Sequence, residues 1–287
     1  MIVHKQLTLD HLTFDLRCAG DPSNELVILL HGFPETNHMW IPLMKDLSKK
    51  GLYCVAPNLR GYSPGAQPKG KKNYTLEQLG SDIVTISKAL GKEKFHLIGH
   101  DWGACIGWHV AYEQPELVLS WSALSIPHLQ GFGEALAKDP TQKKMSSYMQ
   151  RFQIPWLPEY KIKKDNFAVL KRLWKNCTKE EIADYLSVFQ KKGTVTAALN
   201  YYRENYKILK NATKTQILDD VDVPTLMIWG EDDFAIGSYG VERCKDYVTG
   251  DYTFIKVKGG HWLVQTNYNE VALAINNHLD KYRSSLN

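Results

Sequence analysis

A carboxylate occupies a position where a turn between a strand and a helix exposes a single side chain. The stretch "LIGHDWGACIG" at 97–107 runs from apolar residues through Gly99 into a turn, and small residues follow. In a Gly-x-nucleophile-x-Gly turn the central residue, here Asp101, stands clear of the backbone. The unpaired amides at the start of the following helix stabilise an anion there. An acidic residue could simply cap that helix, but a cap requires neither Gly99 nor Gly103. The pattern therefore predicts a chemical role for Asp101.

Two further residues that can move protons follow strands later in the chain. Asp233 comes after the apolar run "TLMIW", and His261 comes after "TFIKV". The carboxyl ends of parallel strands meet at one edge of a sheet, where such sheets place their sites. Each residue alone could be an ordinary loop acid or loop histidine. The order nucleophile, acid, histidine is nevertheless that of a triad on one sheet architecture. We expect Asp233 to orient His261 as a base.

An aspartate in the nucleophile position changes the reaction that the triad can perform. A serine needs a base to remove its proton, whereas a carboxylate is already ionised at neutral pH. Asp101 is therefore suited to displacing a leaving group from a saturated carbon, which forms an alkyl ester on the protein. The loop "HGFPE" follows an early predicted strand. We expect the backbone amides of Phe33 and Trp102 to stabilise the oxyanion when water attacks that ester.

Aromatic residues in the middle of the chain suggest which leaving group is displaced. An oxygen in a strained cyclic ether leaves only if it is protonated or strongly hydrogen-bonded, and a phenol keeps its proton at neutral pH. Tyr148 in "SSYMQRFQIPWLPE" and Tyr202 in "ALNYYREN" are candidates, although tyrosines in an aromatic segment can also be packing residues. Further aromatic residues predict a hydrophobic substrate pocket lined by Phe152, Trp156 and Trp262.

These residues need a scaffold in which strands alternate with helices. The apolar runs "ELVILL", "YCVAP" and "FHLIG" predict buried strands. The segment "YTLEQLGSDIVTISKALG" predicts a helix that begins after Thr75 and stops at Gly91. The alternation resumes at "TLMIWG" and ends in a predicted helix that follows Asn267. This order predicts an α/β fold with a mostly parallel twisted sheet flanked by helices.

The segment between the two parts in which strands and helices alternate differs from them in composition and in pattern. It is rich in lysine and aromatic residues, it has no good strand pattern, and its "IPWLPEY" predicts a stiff non-helical turn because of the two prolines. We predict a helical cap over 128–217, inserted into a core formed by 1–127 and 218–287.

The composition argues against several classes of partner. Within 287 residues, 44% hydrophobic and 23% charged residues suit a globular protein, and a net charge of +4 without a basic block predicts no nucleic-acid partner. The N-terminal sequence lacks a secretory signal pattern, and no run is long enough for an integral membrane segment. The five cysteines have no paired spacing, so we expect a reducing, cytoplasmic location. We expect no metal and no cofactor.

The motifs together resemble those of the epoxide hydrolases with the α/β-hydrolase fold. The strings "HGFPE", "GHDWGA", "YMQRFQIPWLPE", "NYYREN", "EDDF" and "GGHW" carry the resemblance over nearly the whole chain. It implies that a small hydrophobic epoxide and water react to give a vicinal diol. Asp101 would be the nucleophile, and Asp233 with His261 the charge-relay pair. Tyr148 and Tyr202 would polarise the epoxide oxygen.

The resemblance leaves two assignments open. The second lid tyrosine of the family falls on Tyr202, and a shift of one position would make it Tyr201. Some members of the family also place a glutamate after this early loop, near the hydrolytic water. In that case Glu35 would help His100 and His261 to manage protons; otherwise it is only a loop anion.

Two other functions fit part of the pattern. A haloalkane dehalogenase would use the same aspartate, and the indole N–H of Trp102 could hold a departing halide. However, Phe33 stands where those enzymes tend to carry a halide-binding asparagine, and the two lid tyrosines also argue against this function. A non-catalytic ligand-binding protein of the same fold is disfavoured by the intact triad.

Overall fold

The computed structural model describes residues 1–283, in which eight strands form a single sheet. The strands are β1 Val3–Leu9, β2 Leu12–Ala19, β3 Glu25–Leu30, β4 Leu52–Pro57, β5 Phe95–His100, β6 Val118–Leu124, β7 Thr225–Gly230 and β8 Tyr252–Val257. Their order across the sheet is β1-β2-β4-β3-β5-β6-β7-β8. The pairs β1–β2 and β2–β4 are antiparallel, and every pair from β4 to β8 is parallel. The predicted α/β fold is thus confirmed.

Helices flank this sheet and follow most of its strands. Within the described residues the α-helices are α1 Ile41–Lys49, α2 Leu76–Ala89, α3 Trp102–Glu113, α4 Leu129–Lys138, α5 Pro140–Met145, α6 Ser147–Arg151, α7 Leu157–Leu173, α8 Lys179–Phe189, α9 Thr194–Lys210, α10 Ser238–Arg243, α11 Leu263–Thr266 and α12 Tyr268–Tyr282. Short 3-10 helices span Asn37–Trp40, Pro64–Ala66, Lys71–Tyr74, Pro115–Leu117 and Cys244–Tyr247. Within residues 1–283, none of these helices has the length and apolar character needed to cross a bilayer.

The predicted helix ends match the capping chemistry in α2. The side chain of Thr75 accepts a hydrogen bond from the amide of Gln78 at 3.3 Å, which starts the helix. Gly91 has a φ of +72° just beyond the last turn, a backbone conformation that glycine adopts without penalty. Asn267 precedes α12, but its side chain does not cap that helix.

The central strands of the sheet are buried, which fixes the positions of the residues that follow them at the carboxyl edge. Every residue of β5 and β7 is buried, as expected for parallel strands that are covered on both faces. β1, by contrast, lies at the edge and is mostly exposed. The sequence analysis did not predict the hairpin of β1 and β2, because polar residues interrupt the apolar ones in both strands and leave no continuous apolar run.

The segment 128–217 contains helices and turns but no strand in the structure. The predicted non-helical turn over 154–160 is confirmed only for 154–156, because α7 begins at Leu157 with Pro158 in its first turn, where proline is tolerated. The indole N–H of Trp174, at the end of α7, donates to the carbonyl of Pro34 at 3.1 Å, which ties this segment to the loop after β3. The boundaries of the cap stay a prediction.

Candidate active site

Asp101 lies at the sharp turn between β5 and α3. Its backbone has φ 52° and ψ −120°, a region that costs a non-glycine residue about 1–3 kcal/mol. Its side chain is buried, with 6% of the residue exposed. A strained backbone that holds an ionisable group at a strand end is typical of functional sites.

Two glycines permit the close packing of this turn. A Cβ atom on Gly103 would lie 2.1 Å from the carbonyl oxygen of Leu30, at the end of β3. A Cβ atom on Gly32 would lie 2.3 Å from the Cβ of Asp101 and 2.5 Å from its Oδ1. The loop after β3 therefore approaches the Asp101 side chain as closely as the backbone allows, and any larger residue would displace one of the two.

The same loop donates a hydrogen bond to the carboxylate. The amide of Phe33 donates to Oδ1 of Asp101 at 2.7 Å. Burial lowers the pKa of His31 to about 4, so its neutral ring bonds to the carbonyl of Gly32 and accepts from the amide of Leu59. These contacts fix the loop that carries the Phe33 amide.

The second amide expected at the oxyanion site belongs to the start of α3. Trp102 is the first residue of α3, so its N–H lies among the amides that have no partner within the helix. Together with the Phe33 amide, it can stabilise negative charge at Oδ1 of Asp101.

The structure brings Asp233 and His261 together beside the nucleophile. Nδ1 of His261 lies 2.9 Å from Oδ2 of Asp233, and its Nε2 lies 3.5 Å from Oδ2 of Asp101. Oδ1 of Asp233 also accepts the amides of Ala235 and Ile236 at 2.7 and 3.0 Å. These amides fix the carboxylate, which in turn orients the ring of His261.

The buried side chains of the triad change one another's pKa values. Burial alone would lower the pKa of His261, but Asp233 and Asp101 raise it to about 10 through charge and hydrogen bonds. Burial acts to raise the pKa of Asp101. The charge and hydrogen bond of His261, together with the Phe33 amide, outweigh this effect of burial, so the pKa of Asp101 lies below its usual value. The resting site therefore holds an ionised Asp101 beside a protonated His261.

Tyr148 and Tyr202 face the same space from the cap segment. Their ring centroids are 5.9 Å apart, and both side chains line one cavity with Asp101. Burial, together with the negative charge of Asp101, raises the pKa of both phenols above the usual value, so both keep their protons at neutral pH. The hydroxyl of Tyr201 instead donates to the carbonyl of Arg60 at 2.7 Å, away from this space. The structure therefore places Tyr202, and not Tyr201, over the carboxylate.

A cavity of about 230 Å³ connects these groups, and we call it the inner chamber. Its ionisable groups are those of Asp101, His261 and the two tyrosines. The rest of its wall is apolar or aromatic: Phe33, Pro34, Phe152, Leu173, Phe234, Ala235 and Trp262. The arrangement can attack an apolar electrophile with a carboxylate while it donates protons from the opposite side.

Comparison with known proteins assigns the family. Residues 25–268 match the family described as alpha/beta hydrolase fold. Human "Epoxide hydrolase 4" is 36% identical over 266 residues, which cover 88% of this chain and 72% of that protein. "Epoxide hydrolase A" of Mycobacterium tuberculosis is 27% identical over an alignment of 300 positions, gaps included, which covers 90% of this chain and 91% of that protein. The chain belongs to the epoxide hydrolase family.

Solved structures agree with this assignment. The crystal structure of a Bacillus megaterium epoxide hydrolase in complex with an inhibitor has a TM-score of 0.87 to this epoxide hydrolase family member at 27% identity. The match covers 96% of this chain and 100% of that chain.

One predicted pocket residue of this epoxide hydrolase family member lies elsewhere. Phe152 and Trp262 line the inner chamber, but Trp156 does not, and the prediction for it was wrong. Trp156 has a φ of +51° and is 75% exposed, in a surface groove with Gln153 and Arg203. The left-handed backbone turns its side chain outward just before α7 begins.

The sequence analysis also missed residues that line the inner chamber. Leu173 lies at the end of α7, and Phe234 follows the triad aspartate directly. An apolar residue directly after the predicted acid could have been used to predict a pocket residue, because the turn that places the acid at the site also places its neighbour there. No comparable signal marks Leu173.

Glu35 and His100 lie behind the chamber and are not among the residues that line it. Glu35 is fully buried, and its Oε1 accepts from Gln265 at 2.6 Å and from Tyr185 at 3.4 Å. Nδ1 of His100 lies 3.4 Å from Oε2 of Glu35, while its Nε2 bonds to the backbone carbonyl of His261 at 2.8 Å. Glu35 therefore reaches the triad histidine through His100, which bonds to the backbone carbonyl of His261 and lies against its ring with centroids 4.9 Å apart.

This placement gives a prediction for Glu35→Gln. We expect a loss of about 1–3 kcal/mol of stability, because the new amide would face the donor of Gln265 in a buried site. We expect the pH profile of turnover to keep its shape. Thermal unfolding and the pH dependence of kcat measure the two effects, and Tyr185→Phe, which removes another partner of the carboxylate, is the control. A displaced pH profile in Glu35→Gln alone would instead show proton handling by this residue.

Proposed function

We propose that this protein hydrolyses an epoxide to a vicinal diol through an ester on Asp101. The observation that carries the proposal is the arrangement around that carboxylate. Oδ1 accepts the Phe33 amide, Oδ2 faces His261, and the phenols of Tyr148 and Tyr202 line the same inner chamber. A nucleophile, a base and two acids thus share one apolar space.

The first half-reaction uses the free oxygen of the nucleophile. Oδ2 of Asp101 attacks an epoxide carbon, so that a new C–O bond forms as the ring C–O bond breaks. The ring oxygen takes a proton from Tyr148 or Tyr202, both of which hold a phenolic proton. Oδ1, bonded to the Phe33 amide, becomes the carbonyl oxygen of the ester.

Formation of the ester converts His261 from an acid into a base. In the resting site the charge of Asp101 helps to raise the pKa of His261 to about 10. Esterification removes that charge, so this pKa falls, and His261 can return a proton to the tyrosine that lost one. The neutral ring, still held by Asp233 at 2.9 Å, is then ready to accept a proton from water.

The second half-reaction breaks the ester. Water loses a proton to His261 and adds to the carbonyl carbon, and the negative charge on Oδ1 is stabilised by the amides of Phe33 and Trp102. One such donor contributes about 3 kcal/mol to a transition state. The intermediate collapses by breaking the bond to Oδ2, and the departing oxygen takes the proton of the added hydroxyl. The ion pair of Asp101 and His261 is restored.

Two features argue against a halide as the leaving group. Phe33 lies in the loop that donates to Asp101, where a haloalkane dehalogenase would be expected to carry a halide-binding asparagine, and both tyrosines line the inner chamber. The ring of Trp102 meets that of Tyr202 edge to face, with centroids 5.0 Å apart.

The two tyrosines give a prediction for the first half-reaction. We expect Tyr148→Phe and Tyr202→Phe each to slow ester formation by about 10–100-fold, and the double variant to slow it further, because the expelled oxygen loses proton donors. Rapid mixing with mass analysis of the intact protein measures ester formation. Tyr201→Phe is the matched control, since its hydroxyl bonds to Arg60 and its loss should reduce stability without slowing ester formation. Equal rates in all three single variants would contradict this role.

A single turnover in oxygen-labelled water tests the proposed function. With a styrene-type epoxide, the first diol should carry no label, and the label should enter the Asp101 carboxylate, which peptide mass analysis locates. Label in the first diol would mean that water attacks the epoxide directly. Halide release from a bromoalkane without diol formation would support a dehalogenase, and neither product would support a binding protein.

A further inference from the structure

The two phenols of the inner chamber are carried by different helices. Tyr148 lies on α6, which has only five residues, whereas Tyr202 lies near the middle of α9, which has 17 residues. A helix as short as α6 is not stable on its own. The position of the Tyr148 hydroxyl relative to that of Tyr202 therefore depends on the contacts that hold α6.

Arg203, the residue after Tyr202, binds the chain where α6 ends. Its Nε donates to the carbonyl of Phe152 at 2.9 Å, and its Nη2 donates to the carbonyl of Ile154 at 3.0 Å. Carbonyls at the end of a helix have no partner within that helix, and an arginine side chain can satisfy them. One side chain of α9 thus holds the backbone on which α6 ends.

The guanidinium of Arg203 is itself held in one orientation. Its Nη1 and Nη2 donate to Oε1 and Oε2 of Glu159 at 2.7 and 3.0 Å, and both side chains are mostly buried. Burial acts to raise the pKa of Glu159, but hydrogen bonds and the charge of Arg203 outweigh it and lower this pKa. A bidentate pair with an ionised carboxylate fixes the plane of the guanidinium. Its contacts with the two carbonyls are therefore fixed in direction as well.

Phe152 connects the bond of Arg203 to the phenols. Its ring packs edge to face against both tyrosines, with centroids 5.5 Å from that of Tyr148 and 5.0 Å from that of Tyr202. Close-packed rings move together, so a shift of the Phe152 backbone would displace the phenols relative to each other.

Gln153 makes a further contact between the same two helices. Its Nε2 donates to the carbonyls of Tyr202 and Met149, at 3.1 Å in each case. These bonds come from a neutral amide, whereas those of Arg203 come from a charged group and are stronger. We therefore expect Arg203 to contribute the larger part of the link between α6 and α9.

We propose that Arg203 is a positioning residue for the two phenols, an inference that rests on the proposed function. Arg203 is not among the residues that line the inner chamber, so it acts through Tyr148 and Tyr202. Both hydroxyls must reach the same epoxide oxygen, and a misplacement of about 1 Å can slow a reaction by about 10²-fold. Since only the first half-reaction uses the phenols, Arg203 should affect formation of the ester and not its hydrolysis.

The test measures the two half-reactions of Arg203→Gln separately, with styrene oxide as the substrate. Rapid mixing with mass analysis of the intact protein follows the formation of the ester on Asp101 and its decay. We expect formation to slow by about tenfold and decay to stay within about twofold of the native rate. Arg203→Lys should show the same selective loss, because an ammonium keeps the charge beside Glu159 but lacks the planar fork. The lysine variant decides the question if the glutamine variant does not fold.

Two comparisons separate positioning from a general loss of stability. Arg243 pairs with Glu134 at 3.0 Å and does not line the inner chamber, so Arg243→Gln should leave both half-reactions unchanged. In a Tyr148→Phe background, Arg203→Gln should slow ester formation by only about threefold or less, because one of the hydroxyls that it positions is gone.

Three results would overturn this inference and leave the proposed function intact. They are an equal slowing of ester formation and decay, an equal effect of Arg203→Gln with and without the hydroxyl of Tyr148, and unchanged ester formation in both Arg203 variants. If the native protein forms no ester with styrene oxide, the proposed function itself fails.

Discussion

Replacing Asp101 with asparagine should lower turnover by at least about 10⁴-fold, the scale seen when a triad member is removed. The neutral amide cannot attack a saturated carbon, so no ester forms. Asparagine has almost the same shape and can still accept the Phe33 amide, which donates to Oδ1 at 2.7 Å in the native site. We therefore expect thermal unfolding to change little while diol release, followed by chromatography, is lost.

Asp220→Asn provides the matched control for this variant. Asp220 is exposed and lies outside the inner chamber, so removing its charge should leave turnover unchanged. Substantial diol formation by Asp101→Asn, with its amide shown intact by peptide mass analysis, would mean that water reacts with the epoxide without a protein nucleophile.

Replacing His261 with glutamine should separate the two half-reactions. Asp101 remains charged and can still be alkylated, but no base activates water. Steady-state turnover should fall by about 10³–10⁴-fold, while about one equivalent of substrate per protein becomes covalently bound. Mass analysis of the intact protein should show the adduct, and His11→Gln, a change at an exposed position, should show normal turnover and no accumulation. A variant that neither turns over nor forms the adduct would contradict the assigned role.

The native protein should also accumulate the ester on Asp101 when the pH is lowered. The pKa of His261 is raised to about 10 while Asp101 is charged, and esterification removes that cause. Hydrolysis needs neutral His261, so its rate should fall as the pH decreases through the lower pKa of the esterified state. Ester formation needs only ionised Asp101, whose pKa is held below its usual value. The ester should therefore accumulate at mildly acidic pH, which rapid acid quenching with mass analysis can detect.

Chain order and strand patterns were sufficient to predict the parallel part of the sheet and the grouping of the triad residues, but not the antiparallel strands β1 and β2. Asp101 and Asp233 follow the buried strands β5 and β7, and His261 follows the edge strand β8. All three strands are parallel, so their carboxyl ends meet at one edge of the sheet. The orientation of side chains in the cap was harder to predict. Trp156 points outward because of one left-handed residue, and the choice between Tyr201 and Tyr202 depends on the rotation of α9 against the core. Neither feature leaves a periodic signal in the sequence.

Because Trp174 contacts Pro34, we expect substrate size to affect the rates of the two half-reactions differently. The indole of Trp174 belongs to the cap segment, and it donates at 3.1 Å to the carbonyl of Pro34, the residue after Phe33, whose amide donates to Asp101. Under the proposed mechanism, a bulky substrate that displaces this part of the cap would also displace the Phe33 amide. Large substrates should therefore slow hydrolysis of the ester, even where they fit well enough to alkylate Asp101.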